Sequence, residues 1–246
     1  PQSSYIGMTH QLSEGQCAAI SRLMATAMEE GKDITFIKNL YTAAAFPSDP
    51  ACRRFIEKLN KLQQRIQPQS AFYAGKTAEL LSIEDMVKKL DGFTPPKSIM
   101  IDTPGHAVAA GVTIEDGKKV FWFNDPNYGL AKFENSNLMH AGLDKHFRDK
   151  KLDVPYKTHG IDRNTLAFNI FEHDNEWRKK NDIFDSEFVE LYDTPLIPSG
   201  QPRVLSSREL QLNWEKLRMN PDNDVLICYD ASVRVGQAEK TLSPEV

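Results

Sequence analysis

The chain has 246 residues, 40% of them hydrophobic and 26% charged, an ordinary globular balance with room for one large core or two small ones. A formal net charge of −4 argues against a general nucleic-acid binder, and no apolar run reaches the roughly 18 residues of a membrane span. Six histidines and three cysteines contain no CxxC and no i,i+4 histidine pair, so no metal or other cofactor is expected.

Cys17, Cys52 and Cys228 are too few and too odd in number for a disulfide framework, which suits a reducing compartment such as a cytosol. The opening PQSSYIGMTHQ has no basic n-region, no apolar h-region and no initiator Met, as expected for a piece of a longer chain.

Residues 16–30 form the first predicted helix, with Ala19, Ile20, Leu23, Met24, Ala27 and Met28 on one face. Ser13 and Gln16 resemble a capping box, and Gly31 stands where the helix should stop. A second helix is predicted over 34–45. A third is capped by Asp49, starts at Pro50, and carries Phe55, Ile56, Leu59, Leu62 and Ile66 inward before Pro68. Ser82 caps a short helix closing at Asp91-Gly92. Strands are predicted at 98–101, 106–114 and 119–124, the last two joined by a hairpin turn through Asp116-Gly117. A helix over 136–149, a strand over 165–172, a loop over 193–205, a helix over 206–219 and a strand over 224–229 complete the reading, before a polar tail from 236. The predicted class is α+β: an N-terminal helical block packed on an antiparallel sheet, because no βαβ alternation occurs. The division expected is a core of helices followed by hairpin sheet over 1–150, and a part over 151–246 that completes the sheet or forms a partner- or substrate-binding extension.

Cys17 stands at the first turn of its helix. Unpaired N–H groups and the positive end of the helix dipole favour thiolate there, the nucleophilic form. Read alone, such a cysteine is commonly a small buried hydrophobe. The hairpin adds to it. With the turn at Asp116-Gly117, paired positions sum to about 233, so His106 faces position 127, two residues beyond Asp125. A histidine and a carboxylate at one hairpin end are what a general base and its orienter need. Alone, His106 reads as a core histidine and Asp125, before Pro126, as a turn former. The oxyanion of the reaction would take the Cys17 backbone N–H and a side-chain amide. Gln16 and His10 are weaker candidates for that second donor. Trp122 and Phe123 read as hairpin core, Cys52 and Cys228 as packing residues, and EWRKKND (176–182) as a solvated face. His140 and His146, six apart, do not share a helix face; EHD (172–174) is a reserve site only.

The order Cys, His, Asp resembles papain-like cysteine peptidases, and within them the YopT-like peptidases of bacterial effectors and large toxins. The stretches that carry the likeness are EGQCAAISRLM (14–24), PGHAVAAGV (104–112) and FNDPNYG (123–129). It departs at Ala18, where many such enzymes have an aromatic residue. The resemblance implies that Cys17 is the nucleophile, His106 the base, Asp125 its orienter, and Gln11, six residues before Cys17, an oxyanion donor. It further implies a domain translocated by a bacterium into a host cytosol, cleaving a host protein or its parent toxin, with a host activating protein as a potential partner. An acyltransferase or glutamine deamidase using the same triad, and a catalytically idle host-protein-binding module, are the competing readings.

Overall fold

The computed structural model describes residues 16–66, 76–103, 106–152, 156 and 166–200. The elements expected over 206–219 and 224–229, Gln11, Ser13 and Cys228 lie outside the described residues. Three helices come first: α1 (Cys17–Glu29), α2 (Asp33–Ala45) and α3 (Pro50–Ile66). Then follow β1 (Glu79–Ser82), α4 (Ile83–Asp91), β2 (Lys97–Thr103), β3 (His106–Glu115), β4 (Lys118–Asp125), β5 (Gly129–Phe133), α5 (Ser136–Asp149) and β6 (Ala167–Glu172). Three short helices, α6 (Glu176–Lys180), α7 (Asp185–Phe188) and α8 (Glu190–Asp193), end the described chain.

The strands form one six-stranded antiparallel sheet in the order β1-β6-β2-β3-β4-β5. The β3–β4 pairs, from Glu115↔Lys118 to Ala109↔Asn124, all sum to 233. Asp116 and Gly117 both have positive φ, 50° and 75°, the two-residue turn whose twist matches a hairpin. β2–β5 run as a meander, and β6 is inserted between β1 and β2.

Both faces of the sheet are covered. Met100, Ala107, Ala109 and Trp122 pack under α1–α3 and the segment 177–192. Their sequence neighbours Ile99, Ile101, Val108, Ala110, Phe121 and Phe123 pack against α4 and α5. Two-sided burial makes β3 nearly continuously apolar from His106 to Val112 instead of alternating. The assembly is α+β, helices on either side of an antiparallel sheet.

Local chemistry sets the helix ends. Asp49 caps α3 through Ala51 N–H at 2.9 Å, Ser82 caps α4 through Asp85 N–H at 3.1 Å, and Asn135 caps α5 through Leu138 N–H at 2.9 Å. At the end of α1, Gly31 (φ 70°) donates to Met28 O and Lys32 N–H to Ala27 O at 2.7 Å, the paired bonds of a Schellman stop. The start of α1 differs from the expected capping box. Gln16 makes no side-chain cap; its amide donates to Asn60 Oδ1, and the Ala19 N–H is taken at 2.8 Å by Gln63 Oε1. The helix start is buried under α3, so amides reaching across from α3 satisfy it instead of a local side chain.

The segment after α8 is stitched back onto the helical block. Asn39 donates to Leu191 O at 3.0 Å and Thr194 O at 2.9 Å, and accepts from Leu196 N–H at 2.7 Å. Asp49 accepts from Ser199 N–H at 3.1 Å and Gly200 N–H at 3.0 Å in addition to capping α3.

Gly111, mid-strand in β3, lies directly opposite Trp122 of β4. A Cβ there would sit 2.6 Å from Lys97 O and 2.7 Å from Trp122 Nε1, because the indole lies across the bare backbone. Gly111→Ala is therefore expected to lower stability by about 1–3 kcal/mol, the usual cost of overpacking. Urea denaturation checks it, and an unchanged midpoint would show that the indole moves aside freely.

Candidate active site

Cys17, His106 and Asp125 meet at one end of the sheet. Helix α1 lies on the Ala107/Ala109 face of β3, and the Ser21 hydroxyl donates to Ala107 O at 3.0 Å. Ser21 is four residues after Cys17 and so on the same helix face, while Ala107 adjoins His106. One buried bond thus fixes how far the start of the helix lies from the start of the strand. Cys17 remains half-buried, whereas His106 and Asp125 are buried, at 7% and 0% exposure.

His106 Nε2 lies 2.8 Å from Asp125 Oδ1. The Cys17 side chain also interacts with the His106 ring. Since Nε2 is occupied by Asp125, the nitrogen left for the thiol is Nδ1. Burial pulls the imidazole pKa down, but the Asp125 carboxylate and the Cys17 side chain outweigh it and raise it to about 9. Burial raises the Asp125 pKa, but the bonds and charge of His106 and His146 hold it well below the usual carboxylate range. A protonated imidazole between a carboxylate and a sulfur is the state that stabilises a thiolate nucleophile.

Asp125 is also the turn former that its Asp-Pro context indicated. Its Oδ1 accepts from Asn127 N–H at 3.0 Å, and its carbonyl from Tyr128 N–H at 2.9 Å. The turn and site readings are one structure, since the turn is what holds the carboxylate at the strand end.

The other carboxylate oxygen engages residues that sequence reasoning missed. His146 Nε2 lies 3.0 Å from Asp125 Oδ2, and the Tyr156 hydroxyl donates to the same oxygen at 2.8 Å. Asn127 Nδ2 donates to Tyr156 Oη at 3.2 Å, and the Tyr156 ring lies over His106 with centroids 4.3 Å apart. A signal for His146 existed: it continues the buried stripe Met139, Gly142, Leu143 of α5. Comparing it with His140 alone concealed that. Trp122, by contrast, packs on the α1 face of the sheet, away from the Asp125 carboxylate.

Other sequence candidates lie elsewhere. Gln16 is buried with its amide on Asn60. In the EHD stretch, buried His173 pairs with Thr26 Oγ1 at 3.1 Å, its pKa lowered to about 3 by burial and the nearby Arg22. Its backbone N–H donates to Ser98 O, at the end of β2 remote from Thr103 and His106. Within 176–182, Trp177 is fully buried under Arg22, so this stretch is not solely a solvated face. Cys52 is buried, and burial with the Asp49 carboxylate pushes its thiol up to about 12. Among the described residues no cluster of His, Cys, Asp and Glu could hold a metal ion, and no helix is long and apolar enough to cross a membrane.

The model of the Mcf1 protease effector domain matches residues 1–180, nearly three-quarters of the chain and every residue of the cluster around Asp125. The chain belongs to this family. The chain is 25% identical over 197 residues to a multifunctional-autoprocessing repeats-in-toxin of Vibrio vulnificus, covering 69% of this chain. It is 24% identical over 187 residues to toxin Afp18 of Yersinia ruckeri, covering 72% of this chain. It spans 4% and 8% of those two toxins. The fold is similar to that of PatoxP, a cysteine protease-like domain of the Photorhabdus asymbiotica toxin PaTox. That match has TM-score 0.52 and 19% identity, and covers 78% of this chain and 58% of that one. The chain is thus a protease-like effector domain related to bacterial toxins, with an α+β, cysteine protease-like fold.

Two measurements probe the electrostatics of the protease effector domain. Cys17 should be alkylated by iodoacetamide at pH 6 much faster than Cys52, and His106→Ala should remove the difference; equal slow labelling would count against an activated Cys17. The folded His106 pKa is raised from 6.5 to about 9, so its protonation stabilises the fold fully below 6.5 and that contribution is lost as pH rises through 9. Urea midpoints of wild type and His106→Asn should therefore diverge at pH 6 and converge above 9.

Proposed function

We propose that this protease effector domain is a cysteine peptidase, with Cys17 as nucleophile, His106 as general base and acid, and Asp125 as orienter. The observation that carries the proposal is the convergence of a helix-start cysteine, a strand-start histidine and a buried carboxylate at one end of the sheet. Cys17 Sγ attacks the scissile carbonyl carbon as thiolate. His106, protonated on both nitrogens, passes its Nδ1 proton to the leaving amine, and a tetrahedral intermediate collapses to an acyl-enzyme. Neutral His106 then takes a proton from water, which attacks the thioester and frees Cys17. Throughout, Asp125 accepts from Nε2–H and keeps Nδ1 aimed at the sulfur.

The oxyanion is assigned to the Cys17 N–H, which as a first-turn amide has no intrahelical acceptor, and to Gln11. Gln16 is unsuited to that role, since its amide is buried against Asn60. Similarity to toxins supports a protein substrate in a host cytosol or within the parent toxin. A host protein that activates the domain remains part of this proposal, as does action after translocation by a bacterium.

The deciding experiment maps new protein N-termini in host-cell lysate exposed to the domain or to Cys17→Ala. New N-termini only with the wild type are expected and would name the target, including the domain's own chain. Their absence, with mass shifts on intact lysines or glutamines instead, would transfer the same triad to acyl transfer or deamidation. Neither change would favour a binding module.

A further inference from the structure

We infer that His146 and Tyr156 act as positioning residues that clamp the second oxygen of Asp125, holding the first on His106. This rests on the peptidase reading of the Cys17–His106–Asp125 site.

The buried carboxylate receives four hydrogen bonds, two on each oxygen. His106 and Asn127 N–H engage Oδ1; His146 and Tyr156 engage Oδ2. Four donors fill the four acceptor positions of a carboxylate, so rotation about χ2 must break bonds at both oxygens together. Without the Oδ2 pair, only the two Oδ1 bonds would resist that rotation, and one of them is the bond catalysis needs kept straight.

The roles of His146 are dictated by its surroundings. An ionised carboxylate only accepts, so the His146 proton is on Nε2. Nδ1 is buried and has no hydrogen-bonding partner. The rings of Phe123, Tyr128 and Phe147 surround the imidazole, with centroids 5.6, 4.9 and 5.2 Å away. An apolar side chain would fill this position of the α5 stripe without stranding a nitrogen. What the histidine adds is one directed N–H to Asp125. Tyr156 acts twice, donating to Oδ2 and covering the His106 ring.

The test is the pH profile of Cys17 alkylation by iodoacetamide in the full chain, with circular dichroism as the check on folding. His146→Ala should slow labelling at pH 6 severalfold, with the limb where thiolate forms displaced to higher pH. Tyr156→Phe should shift that limb in the same direction. His146→Gln, whose Nε2 can reach the same oxygen, should restore most of the rate. A folded His146→Ala protein that labels along the wild-type profile would overturn the clamp while leaving the triad standing. A wild-type Cys17 that labels as an ordinary thiol, unchanged by His106→Ala, would overturn the peptidase reading and this inference with it. If His146→Ala does not fold, 15N-histidine NMR of the wild type decides: a proton on His146 Nε2 is required, and a proton on Nδ1 alone refutes the clamp.

Discussion

A carboxylate with no solvent contact governs how one end of this molecule is built. Asp125 is fully buried, and a buried charge is tolerated only when hydrogen-bonded on every side. Its four donors come from the start of β3, the turn after β4, the buried face of α5 and the segment beyond it. Those elements are separated by up to 50 positions in the chain, so the one group must be satisfied by nearly the whole α5 side of the sheet at once. Removing any donor leaves a charge under-satisfied. A local change at His146 therefore acts at His106 without touching it, and one at Tyr156 acts both through Asp125 and through the ring stacked on His106.

Cys17 arrives from the opposite layer, and its placement has a different cause. Helix α1 is buried from Ala18 to Met28, a run containing Ala18, Ala19, Ala25 and Ala27 that allows close approach to β3 and α3. Such a helix has no solvated face to orient it by, so polar contacts set its register. Ser21 on Ala107 O fixes it against the strand, and Gln63 on Ala19 N–H fixes it against α3. The site thus forms where the two helical layers meet at the sheet end: imidazole and carboxylate from one side, sulfur from the other. A half-buried thiol above a buried His–Asp pair leaves the sulfur accessible while solvent is kept from the ion pair.

Much of this was legible in the sequence where local rules are strict. The Asp116-Gly117 turn fixes the hairpin register, and from it alone His106 falls near Asp125. Caps at Asp49 and Ser82 and the stop at Gly31 are decided within a few residues and stand where the sequence placed them. What stayed hidden depends on distant parts of the chain. β1 is four residues long with none fully buried, a strand only because β6 returns to pair with it. β5 is five residues following a turn, too short for periodicity to register. The cap of α1 comes from Gln63, 44 positions away, and local reading assigned it to Ser13 and Gln16. His146 was visible as a member of an apolar stripe, but its partner at the end of β4 was not.

The insertion of β6 bears on how the Asp125 end of the sheet is supported. β2 would be a sheet edge without it, and β2 leads through Thr103, paired with His106, into β3. The Thr103 hydroxyl donates to His106 O at 2.9 Å, so His106 rests on the end of a strand that β6 holds from its other side. Tyr156 precedes β6 and meets Asp125 directly. Residues beyond 150 therefore support the site twice, once through the sheet and once through a hydroxyl. The segment 194–200 then returns to Asn39 and Asp49 and ties the chain to the helices that pack around the start of α1. Motifs place Cys17, His106 and Asp125 in the first 125 residues, but their geometry depends on chain that follows.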